Sequence, residues 1–348
     1  MNTIYEKVDP LDPDEAVMKK AGDIIRSGGL VAFPTETVYG LGGDALDADA
    51  SAKIYEAKGR PSDNPLIVHI AKFEDIYRIT QSVPEEARIL AERFWPGPLT
   101  MIFKKSAIVP DKTTGGLDTV AVRFPSHPVA QKFIEAAGGY IAAPSANISG
   151  RPSPTNGEHV LADMDTRIDM IIDAGPCDIG LESTIIDLSS GPCMMLRPGY
   201  VNDRMLSEVI GEVKKDEAVF GNSSAAPKAP GMKYRHYAPR GEMTIVAGSG
   251  DRVVSFITDK INQRSEGTKI AVLSCTKNAD RYKGADLVFD VGDAANEKLI
   301  AQRLYDTLRR CDEESIDIIY SEEFDTPSLG LAIMNRLIKA AGHNIIRV

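Results

Sequence analysis

Three short stretches of this chain carry the residue types that handle anions. Lys58-Gly59-Arg60-Pro61-Ser62-Asp63-Asn64-Pro65 sets two cations one residue apart in a turn-rich loop between a helical pattern and an apolar run. Arginine offers a planar fork to a carboxylate or phosphate and lysine a compact point charge, so the pair suits a multiply charged anion. Thr35-Glu36-Thr37-Val38-Tyr39-Gly40-Leu41-Gly42-Gly43 follows an apolar run and supplies hydroxyls and glycine amides, which meet anionic or zwitterionic ligands. In Ala143-Pro144-Ser145-Ala146-Asn147-Ile148-Ser149-Gly150-Arg151-Pro152, Ser145 and Asn147 can donate and accept toward phosphate and sugar oxygens. Thr119, Arg123, Glu182, Ser183, Thr184 and Arg197 add polar groups at strand boundaries. Each stretch also has a plainer reading: a solvated turn, a glycine turn capped by threonines, and a Ser/Asn turn closed by its own backbone bonds use the same letters. Their repetition beside short strands points to a polar ligand cleft on an α/β sheet.

Other chemistries lack their residues. The G-x-x-x-x-G-K-[ST] order of a phosphate-binding P-loop is missing, and so is the dinucleotide fingerprint. His69 lies inside a β pattern, where a satisfied core or edge histidine is the usual role, and His127 and His159 fall in surface-like helix starts. The five histidines show no H-x-x-x-H or Cys/His ligand spacing, and Cys177, Cys193, Cys275 and Cys311 are too scattered for a metal knuckle, so no protein-bound metal is expected. The cysteines read as reduced and the chain as cytoplasmic. Trp95, in Phe94-Trp95-Pro96-Gly97-Pro98-Leu99, reads as a core anchor at a rigid turn.

The elements that must position these loops alternate. Helical patterns at Asp14 to Ser27, Asp49 to Lys58 and Pro84 to Phe94 are interleaved with strands at Leu30 to Phe33, Leu66 to Ile70 and Leu99 to Phe103. Further strands are expected at Thr119 to Phe124, Ile141 to Ala143, Met170 to Asp173, Thr184 to Leu188 and Met194 to Arg197, which makes a sizeable mixed sheet. After a short helix around Met205 to Ile210, the run Gly221 to Gly231 can hold neither helix nor central strand and reads as a linker. Strands at Met243 to Ala247, Lys269 to Ser274, Leu287 to Asp290 and Ile316 to Tyr320 then alternate with helices at Asp251 to Asn262, Ala294 to Arg310 and Leu331 to Ala341. That alternation asks for a small parallel sheet covered by helices. The expected division is 1–212 as a catalytic domain, 213–242 as linker, and 243–348 as a second domain.

With 348 residues, two domains of ordinary size are expected. A formal net charge of -10 gives a whole-molecule field that repels nucleic acid, although it leaves room for a local basic patch. The N-terminus lacks the pattern of a secretory leader, and no apolar run approaches the roughly 20 residues of a membrane span.

Taken together, several stretches resemble the threonylcarbamoyl-AMP synthase family in its long, two-domain form. They are Phe33 to Leu41, Lys58-Gly59-Arg60-Pro61, Asn64-Pro65-Leu66, Trp95 to Thr100, Val122-Arg123-Phe124-Pro125, Pro144 to Gly150, Glu182-Ser183-Thr184-Ile185 and Leu196-Arg197-Pro198-Gly199. Pro230-Gly231-Met232-Lys233-Tyr234-Arg235-His236-Tyr237-Ala238-Pro239 is similar to the family's segment before its second domain. The resemblance implies an α/β fold: a YrdC-like mixed, twisted sheet with helices, then a smaller Rossmann-like parallel-sheet domain.

It also implies an activity. The substrates would be L-threonine, bicarbonate or carbon dioxide, and ATP with Mg2+ carried mainly on its triphosphate. The products would be threonylcarbamoyl-adenylate and pyrophosphate, and a threonylcarbamoyl transferase would pass the group to tRNA. By the same resemblance Lys58 and Arg60 are the catalytic cations, and Thr35, Arg60, His69, Thr119 and Ser183 hold threonine. Lys58, Ser145, Asn147, Arg197, Arg235, His236 and Tyr237 meet ATP. Residues 230–240, with Met232, Tyr234, His236 and Tyr237, are expected to close over the nucleotide as a lid, the alternative being glue between domains. A double-stranded RNA or tRNA-binding module without adenylylation is the rival reading of the whole chain.

Overall fold

Residues 2–216 and 236–348 are described by the structure, a computed structural model of the chain. Two units separate: Met1–Ser149 with Ser153–Lys233, and Gly150–Pro152 with Tyr234–Val348.

The first unit runs β1 (Ile4–Lys7), α1 (Glu15–Arg26), β2 (Val31–Phe33), β3 (Gly40–Asp44), α2 (Ala48–Lys58), β4 (Ile67–His69), α3 (Ile76–Ile79), α4 (Glu85–Phe94) and β5 (Leu99–Lys104). It continues with β6 (Thr119–Arg123), α5 (Pro128–Ala136), β7 (Ile141–Ala143), α6 (Gly157–Met164), β8 (Met170–Asp173), β9 (Thr184–Asp187), β10 (Met194–Arg197), α7 (Asp203–Ile210) and β11 (Lys214–Lys215). Its strands form one mixed sheet in the order β1-β8-β2-β3-β7-β4-β6-β5-β9-β10-β11. Side chains alternate between the two faces, as strand geometry requires. Val31, Phe33 and Ile141 meet Met18, Ile25, Val129 and Phe133 from α1 and α5 on one face. Ala32, Val68, Met101 and Val122 join Ile54 of α2 and Leu90 of α4 in the core on the other.

Strand β3 was not expected, because glycine is a poor strand former and the stretch reads as a turn. The glycines are there for space. A Cβ at Gly40 or Gly42 would sit 3.0–3.2 Å from the Phe33 ring, and one at Gly43 would press on Ile54 and Leu30. Bare backbone thus lets Phe33 lie across β3 and bring its ring edge-on to His69, 5.9 Å between centroids. His159, expected at a surface, is buried where Thr155 and Asn156 hydrogen-bond its ring. Trp95 anchors its turn as expected, buried with Nε1 donating to the Leu99 carbonyl at 2.6 Å.

The second unit contains β12 (Glu242–Ala247), α8 (Gly250–Asn262), β13 (Ile270–Cys275), β14 (Leu287–Gly292), α9 (Glu297–Glu313), β15 (Ile318–Glu322), α10 (Gly330–Ala340) and β16 (Ile345–Arg347). Its strands pair in parallel throughout, in the order β14-β13-β15-β12-β16. Both sheets are of the α/β kind expected. Among the described residues no helix is long and apolar enough to cross a membrane.

Candidate active site

Lys58 owes its position to the two ends of α2. The Asp47 carboxylate caps the first turn by accepting from the Asp49 amide, and Gly59, at φ 61, ends the helix in the left-handed conformation that glycine adopts without cost. Lys58 is therefore the last helical residue, and its side chain is 1% exposed. A buried ammonium needs acceptors. Its Nζ donates to the carbonyl oxygens of Ser145 and Asn147, at 2.5 Å each, while the Lys58 carbonyl accepts from the Ser149 amide. Two of the three anticipated stretches are thereby joined through one side chain. Within the second of them Ser145 Oγ donates to Asn147 Oδ1, and Asn147 Nδ2 to the Ile148 carbonyl. Arg60 points elsewhere: its Nε and Nη2 donate to the Asn64 carbonyl at 3.3 Å and Nη2 to the Pro65 carbonyl at 3.2 Å, bracing its own loop.

A second polar cluster crosses the sheet. Register places His69 of β4 beside Arg123 of β6, and Arg123 beside Thr100 of β5. Thr100 Oγ1 lies 2.8 Å from Ser183 Oγ, which accepts from Arg197 Nη2 at 3.1 Å; Arg197 Nε donates to the Ser183 carbonyl. Gly199 permits this approach, since a Cβ there would collide with the Thr184 amide at 2.5 Å. Two residues back along these strands the same face carries the apolar cluster of Ile67, Ala121 and Ile102, joined by Ile185 and Leu196. His69 is enclosed, and its pKa falls from 6.5 to about 3, first by burial and then by the charge of Arg123. A neutral imidazole of that kind orients a ligand and is a weak base at neutral pH.

Arg123 meets Glu36, the residue between two threonines of the first stretch. Arg123 Nη2 and Glu36 Oε1 are 2.8 Å apart and both side chains are buried, yet the contact is not aligned as a hydrogen bond. Arg123 Nε and Glu36 Oε2 have no partner either. Buried polar groups are nearly always satisfied, so this pair is an exception that calls for an explanation. From sequence alone Glu36 has no assigned role and Arg123 is only a strand-boundary polar group. The available signal was a carboxylate set directly after an apolar strand, with an arginine closing another.

The remaining anticipated residues divide. Thr35 sits in the same loop as Glu36, its hydroxyl donating to the Val38 carbonyl and contacting Thr37 Oγ1, as a capping threonine does. Thr119 begins β6 while Arg123 ends it, so they share a face about 13 Å apart and Thr119 does not join the His69–Arg123–Ser183 group. His236 and Tyr237 belong to the second unit, where Tyr237 adopts φ 64 and its buried ring packs on Tyr305 at 5.2 Å. Arg235 and residues 230–235 of the expected lid lie outside the described residues.

A family model described as telomere recombination matches residues 23–199, and one described as the threonylcarbamoyl-AMP synthase C-terminal domain matches 201–342. A threonylcarbamoyl-AMP synthase of Pyrococcus abyssi is 51% identical over 336 residues, covering 96% of this chain and 97% of that protein. The chain belongs to the threonylcarbamoyl-AMP synthase family. A threonylcarbamoyl-AMP synthase of Bacillus subtilis is 46% identical, with 97% of both chains covered. Among solved structures of the family, the crystal structure of P. abyssi Sua5 complexed with L-threonine superposes with a TM-score of 0.94 at 49% identity, covering 99% of this chain and 100% of that one. Both of the family's parts are therefore present in one chain.

Proposed function

We propose that this chain is an L-threonylcarbamoyladenylate synthase, a nucleotidyltransferase that makes threonylcarbamoyl-AMP for tRNA modification. The observation that carries the reading is the 51% identity to a threonylcarbamoyl-AMP synthase along 96% of the chain. In this proposal the threonine amine adds to carbon dioxide with loss of a proton, or to bicarbonate with loss of water, and an oxygen of the resulting carbamate attacks the α-phosphorus of ATP. The bond to the β-phosphate oxygen breaks, and pyrophosphate leaves. Charge accumulates on the phosphate oxygens, where positioned cations act most strongly in a water-poor site. Lys58 and Arg60 are assigned that task, with Ser145, Asn147 and Arg197 toward the nucleotide. Arg235, His236 and Tyr237, and with them a lid formed by residues 230–240, remain part of the proposal on sequence grounds.

Threonine is assigned to Thr35, Arg60, His69 and Ser183, to which Arg123 and Glu36 are now added because their buried charges are under-satisfied. Thr119 is left out, being about 13 Å along its strand from Arg123. The carboxylates beside these loops, Glu36 and Glu182, face Arg123 and Ser153. Both carboxylates are thus engaged with side chains, and the proposal has Mg2+ carried on the triphosphate oxygens, where it would offset phosphate charge. The proposal places the protein in the cytoplasm, where ATP and a threonylcarbamoyl transferase partner would be met.

Exchange of labelled pyrophosphate into ATP tests the chemistry. It should require threonine and bicarbonate together. Exchange without bicarbonate would mean that the amino acid's own carboxylate is adenylylated, and salt-dependent RNA binding without any exchange would turn the reading toward a binding module. A pocket that pairs the threonine hydroxyl should prefer threonine over 2-aminobutyrate by about 1–3 kcal/mol in kcat/KM; equal values would contradict it.

A further inference from the structure

The second unit holds a cavity that the proposed reaction does not use. From β12 the chain proceeds to β13 and β14 toward one edge of the sheet, and from β14 through β15 to β16 toward the other. Connections leaving the adjacent strands β13 and β15 therefore diverge, and in open parallel sheets a ligand crevice forms at the carboxyl ends where that happens. Here the loops after β12, β13, β14 and β15 enclose a cavity of about 530 Å³. That is a small-molecule volume, within the ~300–1,000 Å³ of such sites.

Its chemistry has three parts. The floor is Glu322, the last residue of β15, which accepts from Ser274 Oγ, Tyr282 Oη, the Cys275 amide and Cys275 Sγ at 2.5–3.2 Å. Four donors fill the lone pairs of a carboxylate, so Glu322 is a fixed anchor that pins the ends of two strands. One wall is apolar, from Ala294, Ala295 and the edges of Val253 and Phe324, with Val246 and Ile300 buried in the same lining, and suits the flat face of a base. Around the mouth stand the exposed acids Asp293, Glu323 and Asp325, with Lys277 the one cation in the lining. Such a mouth accepts hydroxyl and amino donors and repels phosphate. We infer that this cavity binds an unphosphorylated nucleoside, its base against the apolar wall and its ribose hydroxyls donating to the acids at the mouth. The inference stands apart from the reaction proposed for the first unit.

Methyl resonances of the full chain, with adenosine and AMP as probes, give the test. Adenosine should shift the Val246, Val253 and Ile300 methyls saturably, and AMP should need at least about tenfold higher concentration, because its phosphate meets the acidic mouth. Gly250 lines the cavity, and a Cβ there meets nothing within 4 Å. Gly250→Trp should fold, fill the space and abolish the adenosine shifts. Asp325→Lys, at an exposed position, should narrow the difference between adenosine and AMP. Unmoved methyls at millimolar adenosine, or equal responses to adenosine and AMP in the unaltered chain, would overturn the inference. Lys58→Ala should leave these particular shifts unchanged; their loss in that variant would assign the binding to the first unit and reject it here.

Discussion

Lys58 and Arg123 are both cations buried in the first unit, and they are held in opposite ways. Lys58 ends a capped helix and has two backbone carbonyls within 2.5 Å. Arg123 ends a strand and faces a carboxylate at 2.8 Å in a contact that leaves polar atoms of both partners unsatisfied. A cation satisfied by backbone is fixed in place, and its charge acts on whatever arrives without rearrangement. An under-satisfied pair keeps unspent hydrogen-bonding capacity, which a substrate carboxylate or amine can take up. The difference suggests a division of labour, with fixed charge near Lys58 for the phosphates and adaptable charge near Arg123 for the amino acid.

The largest expected effect is at the fixed end. Lys58→Ala should lower threonine-dependent pyrophosphate release by about 10²–10³-fold, the usual cost of losing one preorganised stabiliser. A variant with full turnover would remove Lys58 from the chemistry. Next comes the pair. Glu36→Ala leaves Arg123 buried without its counter-charge, which should cost about 3–5 kcal/mol in denaturant unfolding, whereas Glu36→Leu with Arg123→Met should restore most of that stability. Threonine binding by calorimetry should stay lost in the double variant; recovery would make the pair purely structural.

A smaller effect is expected from His69. Its native pKa of about 3 lies below the 6.5 of a free imidazole, so between those values the unfolded chain binds a proton that the native chain does not. Its stabilising contribution is complete above 6.5 and is lost as pH falls toward 3. His127, also depressed by burial, acts with the same sign. His69→Gln should therefore narrow, without abolishing, the stability difference between about pH 7.5 and about pH 5 measured by denaturant midpoints. An unchanged difference would show that His69 is not held neutral. Smallest of all, Thr119→Val should alter the KM for threonine by less than about twofold, as expected for a change away from the bound groups; a large rise would bring Thr119 back into the amino-acid site.

How much of this was legible in the sequence depended on range. Lys58, Ser145 and Asn147, which the structure brings into contact, stand out in the sequence because loop composition next to strands is a local signal, and the strand and helix periods give the α/β character of both units. Glu36 was passed over because nothing local says that a carboxylate will face an arginine 87 positions away, which only the sheet order brings about. The family resemblance groups Thr119 with His69 and Ser183, while register sets it about 13 Å along β6 from Arg123, the neighbour of His69. Strand β3 was hidden because its glycines serve the Phe33 ring and α2 rather than strand propensity. Long-range pairing, not residue type, decided each of these cases.

A threonylcarbamoyl-AMP synthase joins bicarbonate carbon, threonine and adenylate in one product. Purified full-length chain incubated with ATP, Mg2+, threonine and isotopically labelled bicarbonate, and followed by mass spectrometry, tests this most directly. An adenylate with the mass of threonylcarbamoyl-AMP and one labelled carbon should form in step with pyrophosphate and be absent when threonine is omitted. An adenylate of threonine without the labelled carbon, or no adenylate while the protein remains folded, would contradict it.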